Sequence, residues 1–154
     1  MKKLSEFEIG LITGLLEGEG YIGVNVVKRD KTKYGVSVDP EISIVIREKR
    51  VLDRIYSSLN LGSVLKQTWG GYRWRIRKID ECIEFLELIK PFIISERNKR
   101  RVELLLNLCK IKQKREKGKP FDENAWISIL ELVKELRMLS SKPNQKKVAL
   151  PVMR

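Results

Sequence analysis

Two glutamates, Glu17 and Glu19, end an apolar segment in which a glycine recurs every four residues. Residues 10–20 read GLITGLLEGEG, a pattern typical of a helix followed by a turn. The helix dipole disfavours negative charge at its C-terminal end, so two carboxylates there are better explained by function than by stability. Carboxylate oxygens bind divalent cations that assist phosphoryl transfer. A solvated acidic turn is the alternative that this short segment leaves open.

The glycines of this segment, Gly10, Gly14 and Gly18, fall on one face of the predicted helix. Each interior glycine costs about 1 kcal/mol relative to alanine, so a stripe of three needs a compensating contact. Small residues allow the backbones of two helices to approach closely. We therefore expect a dimer interface that also includes Thr13; tight packing within one domain is the alternative.

The chain is strongly basic. Its 154 residues include 32 Lys and Arg against 20 Asp and Glu, a formal net charge of +12. Charge of this sign and size points to a polyanion, most often a nucleic acid, without saying which kind. The sequence has no histidine, which excludes His-activated nucleophiles and His-ligated zinc. Cys82 and Cys109 lie in separate apolar segments and are predicted to be buried free thiols.

The sequence shows no targeting or membrane segment. Acids follow closely on the first residues, where a signal peptide requires an apolar run. No stretch approaches the roughly 18 uncharged residues of a transmembrane helix. We therefore expect a soluble intracellular protein of the cytoplasm, the nucleoid or an organelle matrix, with no membrane partner.

Hydrophobic periodicity predicts a single α+β domain over residues 1–139. The predicted helices span 5–18, 48–60, 79–90, about 96–117 and about 122–139; the strands span 21–28, 34–47 and 72–77, with a short strand before the turn Trp69-Gly70-Gly71. The order is αββαββα followed by two C-terminal helices. Alternation along the strands predicts a four-stranded antiparallel sheet with one face under helices and the other open. Residues 140–154 are predicted to form a flexible basic tail.

Residues 12–20, ITGLLEGEG, resemble the nine-residue signature of the LAGLIDADG homing endonucleases, with glutamate in place of both aspartates. The surrounding pattern agrees, because the helix leads directly into an alternating strand and αββαββα is the core architecture of that family. The resemblance covers residues 7 to about 117. It implies an intron-encoded, site-specific endonuclease that hydrolyses both strands of DNA.

The resemblance assigns the catalytic metal ligand to Glu19, the last acid of the motif, and turns the backbone carbonyl of Gly18 towards the metal ions. The earlier acid, Glu17, is implied to be structural. The longer arm of glutamate would shift the metal position without changing the chemistry. The implied cofactor is Mg²⁺, replaced by Mn²⁺ or Ca²⁺ in crystals, because the available ligands are oxygens.

The resemblance implies two further catalytic positions, a polar residue at the end of the second strand and a basic residue opening the long helix. Arg47 matches the first by its place in the strand. The second falls among Asn98, Lys99 and Arg100; Lys99 is preferred and Arg100 comes next. Arginine binds phosphate well but cannot act as a base. A solvated basic helix turn is the alternative for this cluster.

The open sheet face is predicted to bind double-stranded DNA in the major groove, where base edges present distinct donors and acceptors. Arg73, Arg75 and Arg77 alternate with apolar residues, and like charges at this spacing call for an anionic partner. The full predicted set is Tyr21, Asn25, Arg29, Glu41, Ser43, Lys66, Arg73, Arg75 and Arg77.

The chain carries one copy of the motif, whereas the catalytic unit of the family contains two. The resemblance therefore implies a homodimer on a long, near-palindromic site. One Glu19 from each subunit would serve one DNA strand, and cleavage would leave short 3′ overhangs. The alternative is a non-cleaving DNA- or RNA-binding protein of the same fold, such as an intron maturase or a transcription regulator.

Overall fold

The computed structural model of the chain describes residues 3–140 and 148–151. Its helices are α1 (Glu6–Glu19), α2 (Lys49–Leu59), α3 (Ile79–Ile89), α4 (Glu96–Lys114) and α5 (Glu123–Leu139), and its strands are β1 (Gly20–Lys28), β2 (Val36–Ile46), β3 (Ser63–Lys66) and β4 (Tyr72–Ile76). A short 3₁₀ turn, Lys90–Phe92, precedes α4. The element order confirms the predicted αββαββα core with two C-terminal helices.

All four strands form one antiparallel sheet in the order β1-β2-β4-β3. β2 pairs with β1 from Val36 to Ile44 and with β4 only from Ile42 to Ile46. Pro40 therefore lies in the part of β2 that has a partner strand on one side only, where its missing N–H is tolerated.

Helices cover one face of the sheet and bury its apolar residues. Ile42 and Ile44 of β2 are fully enclosed, as are Trp74 and Ile76 of β4. The Trp74 indole N–H donates to the Leu61 carbonyl at 3.0 Å, which satisfies the one polar atom of this side chain. Because successive strand residues alternate between faces, the polar residues between these positions lie on the open face.

The second strand begins later than the alternation predicts. Tyr34 stacks on Trp126 of α5 with ring centroids 4.5 Å apart, and its hydroxyl donates to the Phe121 carbonyl at 2.9 Å. These contacts turn Tyr34 towards α5, so β2 starts at Val36. The same contacts fix α5 against this end of the β1–β2 hairpin.

Residues 141–147 and 152–154 of the predicted tail lie outside the described residues. Within 148–151, Leu150 packs against the core and the Val148 carbonyl accepts a hydrogen bond from Arg137 at 2.7 Å. Cys82 and Cys109 are buried free thiols, as predicted. Among the described helices, none is long and apolar enough to cross a membrane.

Candidate functional site

α1 begins at a capping box and ends directly at the first strand. The Ser5 hydroxyl accepts from the Glu8 backbone N–H, while the Glu8 carboxylate accepts from the Ser5 N–H, both at 3.1 Å. At the other end, a Cβ on Gly20 would lie 2.4 Å from the Leu16 carbonyl oxygen. Glycine is therefore required where the chain passes from helix to strand. This junction fixes Glu19 as the exposed last residue of α1.

Glu17 is bound to the N-terminus of α4. Its carboxylate accepts from the backbone N–H groups of Ile94 and Ser95 at 3.0 and 2.9 Å, from the Ser95 hydroxyl at 2.7 Å and from the Asn98 amide at 2.6 Å. Burial opposes the charged form, but the bonds from Asn98, Ser95 and Ile94 outweigh it and lower the pKa of Glu17 to about 2. A charge that is unfavourable at the end of α1 is thus favourable at the start of α4. The geometry agrees with a structural role for Glu17.

A groove of about 860 Å³ runs along the open face of the sheet. It brings Glu19 together with Tyr21, Asn25, Glu41, Ser43, Arg73 and Arg77 of the predicted DNA-binding set, and with Arg97, Arg101 and Arg137 of the C-terminal helices. Five arginines against two glutamates make this lining positive, as an anionic ligand requires. The predicted metal ligand therefore faces the same space as most of the predicted DNA-binding residues.

Glu41 forms a polar cluster on the groove side of β2. It is only 8% exposed, and its carboxylate accepts from the Asn25 amide at 3.0 Å and the Ser43 hydroxyl at 3.5 Å. These donors hold the carboxylate in one orientation. In the major groove, a carboxylate pairs with a donor such as the amino group of cytosine; the contact of this cluster with DNA stays a prediction.

Tyr21 lies along the sheet face, above Gly23. Its hydroxyl donates to the Val24 carbonyl at 3.0 Å, and a Cβ on Gly23 would lie 2.6 Å from the Tyr21 hydroxyl oxygen. Burial and the charge of Glu41 raise the pKa of Tyr21 above its usual range. Tyr21 therefore presents a neutral phenol to the groove at physiological pH.

The register of β4 determines the face of its arginines. Arg73 lies opposite Val45, and Arg75 lies opposite Ser43. Direct partners in an antiparallel pair share a face, so both arginines lie on the open face. Arg73 lines the groove itself. Their contact with DNA stays a prediction.

Lys66 lies on the other face, contrary to prediction. It pairs with Tyr72 at the end of β3, whereas Leu65 pairs with Arg73. Lys66 is therefore on the helix-covered side of the sheet, although the strand end leaves it exposed. The prediction that it belongs to the open face is wrong, because a shift of one residue in register moves a side chain to the opposite face.

Arg29 and Arg77 each lie just beyond the end of a strand. Arg29 follows β1 in the hairpin connection, and Arg77 follows β4; both are exposed. Of the two, Arg77 lines the groove. Arg47 follows the end of β2 and is exposed. It is not among the residues that line the groove.

Lys99 and Arg100 of α4, the two cations predicted from the sequence to be catalytic, both form ion pairs with acidic side chains. Arg100 pairs with Glu103 at 3.0 Å and with Glu135 of α5. Lys99 pairs with Glu96 at 3.5 Å. Neither lines the groove, so the structure does not bring them together with Glu19.

Arg97 and Arg101 line the groove in their place. Residues four apart share a helix face, and these two project to the side of α4 that borders the sheet. Neither was among the predicted catalytic residues, because the sequence does not show which side of α4 faces the sheet. The i, i+4 spacing of the two arginines was the available signal.

The glycine stripe of α1, Gly10, Gly14 and Gly18, faces open space. A Cβ on any of the three would have no neighbour within 4 Å. Phe7, one turn before Gly10, is 66% exposed. Tight packing within the domain, the alternative for this stripe, therefore does not account for it.

Thr13 lies away from the glycine stripe. Its side chain is buried within the chain, and its hydroxyl donates to the Ile9 carbonyl of the same helix at 2.7 Å. The place of Thr13 in a dimer interface stays a prediction, although most of its side chain is buried within the chain.

The oxygen donors at the end of α1 are of the type that hard divalent cations take. Glu19 offers an exposed carboxylate at the groove, and Gly18 offers a backbone carbonyl beside it in sequence. Within residues 3–140 and 148–151, no group of three or more His, Cys, Asp and Glu side chains is arranged to hold a metal. Because such a cation takes six or more oxygen ligands, these two donors would occupy only part of its coordination shell.

The family model described as LAGLIDADG endonuclease matches residues 12–100. The match spans more than half of the chain, from the acidic motif through the sheet to the start of α4. The chain belongs to the LAGLIDADG endonuclease family. No curated protein matches it.

Solved structures of LAGLIDADG and other homing endonucleases share the fold of this family member. The homing endonuclease I-CvuI, in complex with the uncleaved I-CreI target in the presence of 2 mM Mg, has a TM-score of 0.81 and 16% sequence identity, and the match covers 94% of this chain and 88% of that one. The archaeal intron-encoded I-Vdi141I, complexed with DNA, has a TM-score of 0.79 and 23% identity, with 94% and 90% covered. The group I intron-encoded I-CeuI, also complexed with DNA, has a TM-score of 0.79 and 17% identity, with 94% and 73% covered.

Proposed function

We propose that this LAGLIDADG protein is a homodimeric homing endonuclease that hydrolyses both strands of a long, near-palindromic DNA site. The observation that carries the proposal is the groove, which combines Glu19 with arginines and hydrogen-bonding side chains on an open antiparallel sheet. The DNA in the structures of I-CvuI, I-Vdi141I and I-CeuI supports the same ligand.

The sheet face supplies the two kinds of contact that site-specific binding needs. Arg73 and Arg75 offer planar guanidinium groups that pair bidentately with guanine or with phosphate. The cluster of Asn25, Glu41 and Ser43 offers a fixed acceptor for a base donor. Phosphate contacts set the register on the duplex, and base contacts carry the sequence information.

Glu19 and the Gly18 carbonyl would hold the metal ion, and Mg²⁺ suits this oxygen set. The I-CvuI complexes obtained in the presence of Mg and of Ca support a divalent cation. When bound, such an ion stabilises charge on the phosphate and lowers the pKa of a water molecule. The guanidinium of Arg97 offers hydrogen-bond donors and no acceptor, so it would bind phosphate oxygens and not accept a proton.

The single acidic motif and the open glycine stripe support the homodimer. One chain provides one Glu19, whereas cleavage of both strands requires two such sites. Helices that meet at the stripe would bring the two α1 ends close together, because glycine permits close backbone contact. Two symmetric copies of the groove would then read the two halves of a near-palindrome, and each would cut one strand to leave a short 3′ overhang.

The test incubates the full chain and Mg²⁺ with a library of duplexes randomised over two helical turns, about 21 base pairs. Sequencing of the cut ends identifies the site and the overhang. We expect one near-palindromic site with 3′ overhangs. Glu19→Gln abolishes cleavage but leaves affinity within a small factor, because the sheet is unchanged. Glu131→Gln, on an exposed position of α5, is the matched control and cleaves normally.

Other outcomes separate the alternatives. Near-normal cleavage by Glu19→Gln excludes Glu19 as the metal ligand and reopens the case for Glu17. Selective binding by the unmodified chain without Mg²⁺-dependent cleavage supports the non-cleaving regulator or maturase. The absence of selective DNA binding contradicts the proposal as a whole.

A further inference from the structure

Arg101 enters the groove from α4 with its guanidinium held on two sides. One terminal nitrogen donates to the Asn98 side-chain oxygen at 2.8 Å, and the other donates to the Leu139 carbonyl at 2.5 Å. Leu139 is the last residue of α5, where the helix dipole favours a cation. The side chain is therefore ordered before a ligand arrives, which reduces the entropy cost of binding.

Asn98 connects this arginine to the helix that carries the acidic motif. It is only 8% exposed, and it bonds in both directions. Its amide nitrogen donates to Glu17 at 2.6 Å, and its oxygen accepts from Arg101 at 2.8 Å. A continuous path of hydrogen bonds thus runs from the last turn of α1, two residues before Glu19, to a cation in the groove.

The guanidinium of Arg101 has more donors than acceptors around it. Its Nε atom is buried and has no hydrogen-bond partner within the described part of the chain, a state that costs free energy. Burial and the charge of Arg97 lower the pKa of Arg101, as expected for a cation that lacks an anion. Arg100 on the same helix differs, because Glu103 and Glu135 neutralise it.

We propose that Asn98 is a positioning residue that, held by Glu17, orients the Arg101 guanidinium to receive a DNA phosphate in the groove that contains Glu19. The inference rests on the proposed function, since the phosphate belongs to the DNA bound there. A guanidinium binds phosphate through two parallel N–H groups, a geometry that is lost when the plane rotates. Asn98 acts only through Arg101.

The test measures how DNA affinity depends on salt, with the full chain, a duplex of random sequence and no Mg²⁺, so that no strand is cut. Loss of one phosphate contact lowers the magnitude of the slope of log K against log salt by about 0.9 for each bound chain, so a bound dimer loses about 1.8. We expect Arg101→Gln to lower the slope by this amount. Lys114→Gln removes the same charge from the exposed last turn of α4, and this matched control leaves the slope unchanged.

Asn98→Ala separates positioning from a general structural role. We expect Asn98→Ala to lower the slope by less than Arg101→Gln does. Added to an Arg101→Gln chain, Asn98→Ala should cause no further decrease in the slope. A purely structural Asn98 would change the melting temperature and the folded fraction without changing the slope. An equal change in both backgrounds, or no change in either, overturns the positioning role. If Asn98→Ala does not fold, Asn98→Ser takes its place, and we expect the same changes in slope.

The two proposals fail in different ways. A chain that binds duplex DNA but does not cut with Mg²⁺ contradicts the nuclease and leaves the inference standing if the slopes behave as expected. An Arg101→Gln slope equal to that of Lys114→Gln overturns the phosphate contact and leaves the nuclease standing. A chain without salt-dependent DNA binding overturns both.

Discussion

Two glutamates separated by one residue have different partners. Glu17 accepts four hydrogen bonds from the start of α4, whereas Glu19 is exposed at the groove. We expect Glu17→Gln to lower the free energy of unfolding by about 1.5–3 kcal/mol, the usual worth of a hydrogen bond to a charged group. Glu19→Gln should change it by less than about 0.5 kcal/mol, as is usual at a surface position. Urea unfolding of both variants measures the difference, and equal losses would contradict these roles.

Substitution of Arg73 and Arg75 tests whether DNA lies on the open sheet face. If they contact bases, each Arg→Ala change should cost about 1–3 kcal/mol on the cognate site and relax preference at one base pair. If they contact phosphates, affinity falls on all sequences and the salt slope drops by about 0.9 per contact and per subunit. Titrations on cognate and scrambled duplexes at several salt concentrations separate these cases. A double variant with unchanged affinity and slope would place the DNA elsewhere, with the start of α4 the leading candidate.

Among single residues, those whose exposure depends only on their position along the chain were predictable from the sequence. Glu19 had to lie at the end of α1, because Gly20 begins a strand immediately. The basic cluster of α4 was less predictable. Its cations differ only in which side of the helix they occupy, and the partners that neutralise Arg100 come partly from α5, 35 residues away in sequence.

Between elements, a hydrogen bond from Ser58 of α2 joins the Glu8 carboxylate at the start of α1. This bond and those from Ser5 favour the charged form and lower the pKa of Glu8 to about 2. Because the folded pKa lies below the unfolded value, the contribution to stability is complete above about pH 4.5 and is lost as the pH falls towards 2. We expect Glu8→Gln to lose less stability than the unmodified chain across this window.

Denaturant midpoints from neutral pH down to about 2 measure this effect. Glu6→Gln is the control, since it removes the same charge from the same helical turn. The denaturant midpoint of Glu6→Gln should change with pH in the same way as that of the unmodified chain. If the midpoint of Glu8→Gln also changes with pH as in the unmodified chain, the bond between α1 and α2 contributes nothing to the pH dependence of stability.

Element order was predictable because apolar residues recur with a helical or strand period along most of the elements. Register was not. The β3–β4 turn contains a hydrogen bond from the Gln67 N–H to the Gly71 carbonyl at 2.7 Å and one from the Gly70 N–H to the Gln67 carbonyl at 3.1 Å. Hairpin turns of this length take several conformations, and each sets a different pairing. Lys66 was therefore assigned to the wrong face.

At the scale of the whole molecule, the glycine stripe makes the proposed dimer testable. Gly14→Leu would place a large side chain where two helices meet, and such overpacking costs about 1–3 kcal/mol. We expect monomers or aggregates by light scattering and a loss of cleavage. The isolated chain has room for this side chain, because no neighbour lies within 4 Å of the added Cβ.

Ser57→Leu adds the same apolar side chain to an exposed position of α2. This control should remain a dimer, which would show that added surface hydrophobicity alone does not change the assembly. A monodisperse, fully active dimer of Gly14→Leu would instead place the subunit contact on another face.

The open face of α1 also has a consequence for dosage. In the proposed assembly, each cutting unit is made from two chains, so below the dissociation constant the active fraction follows mass action. Halving the number of chains in a cell would then reduce the number of complete enzymes about fourfold, and a weakly expressed gene would produce almost no double-strand breaks. A tandem fusion of two copies would remove this threshold, since the linker makes the encounter intramolecular. In that assembly, the three glycines would set both where the chains meet and the protein concentration at which cutting begins.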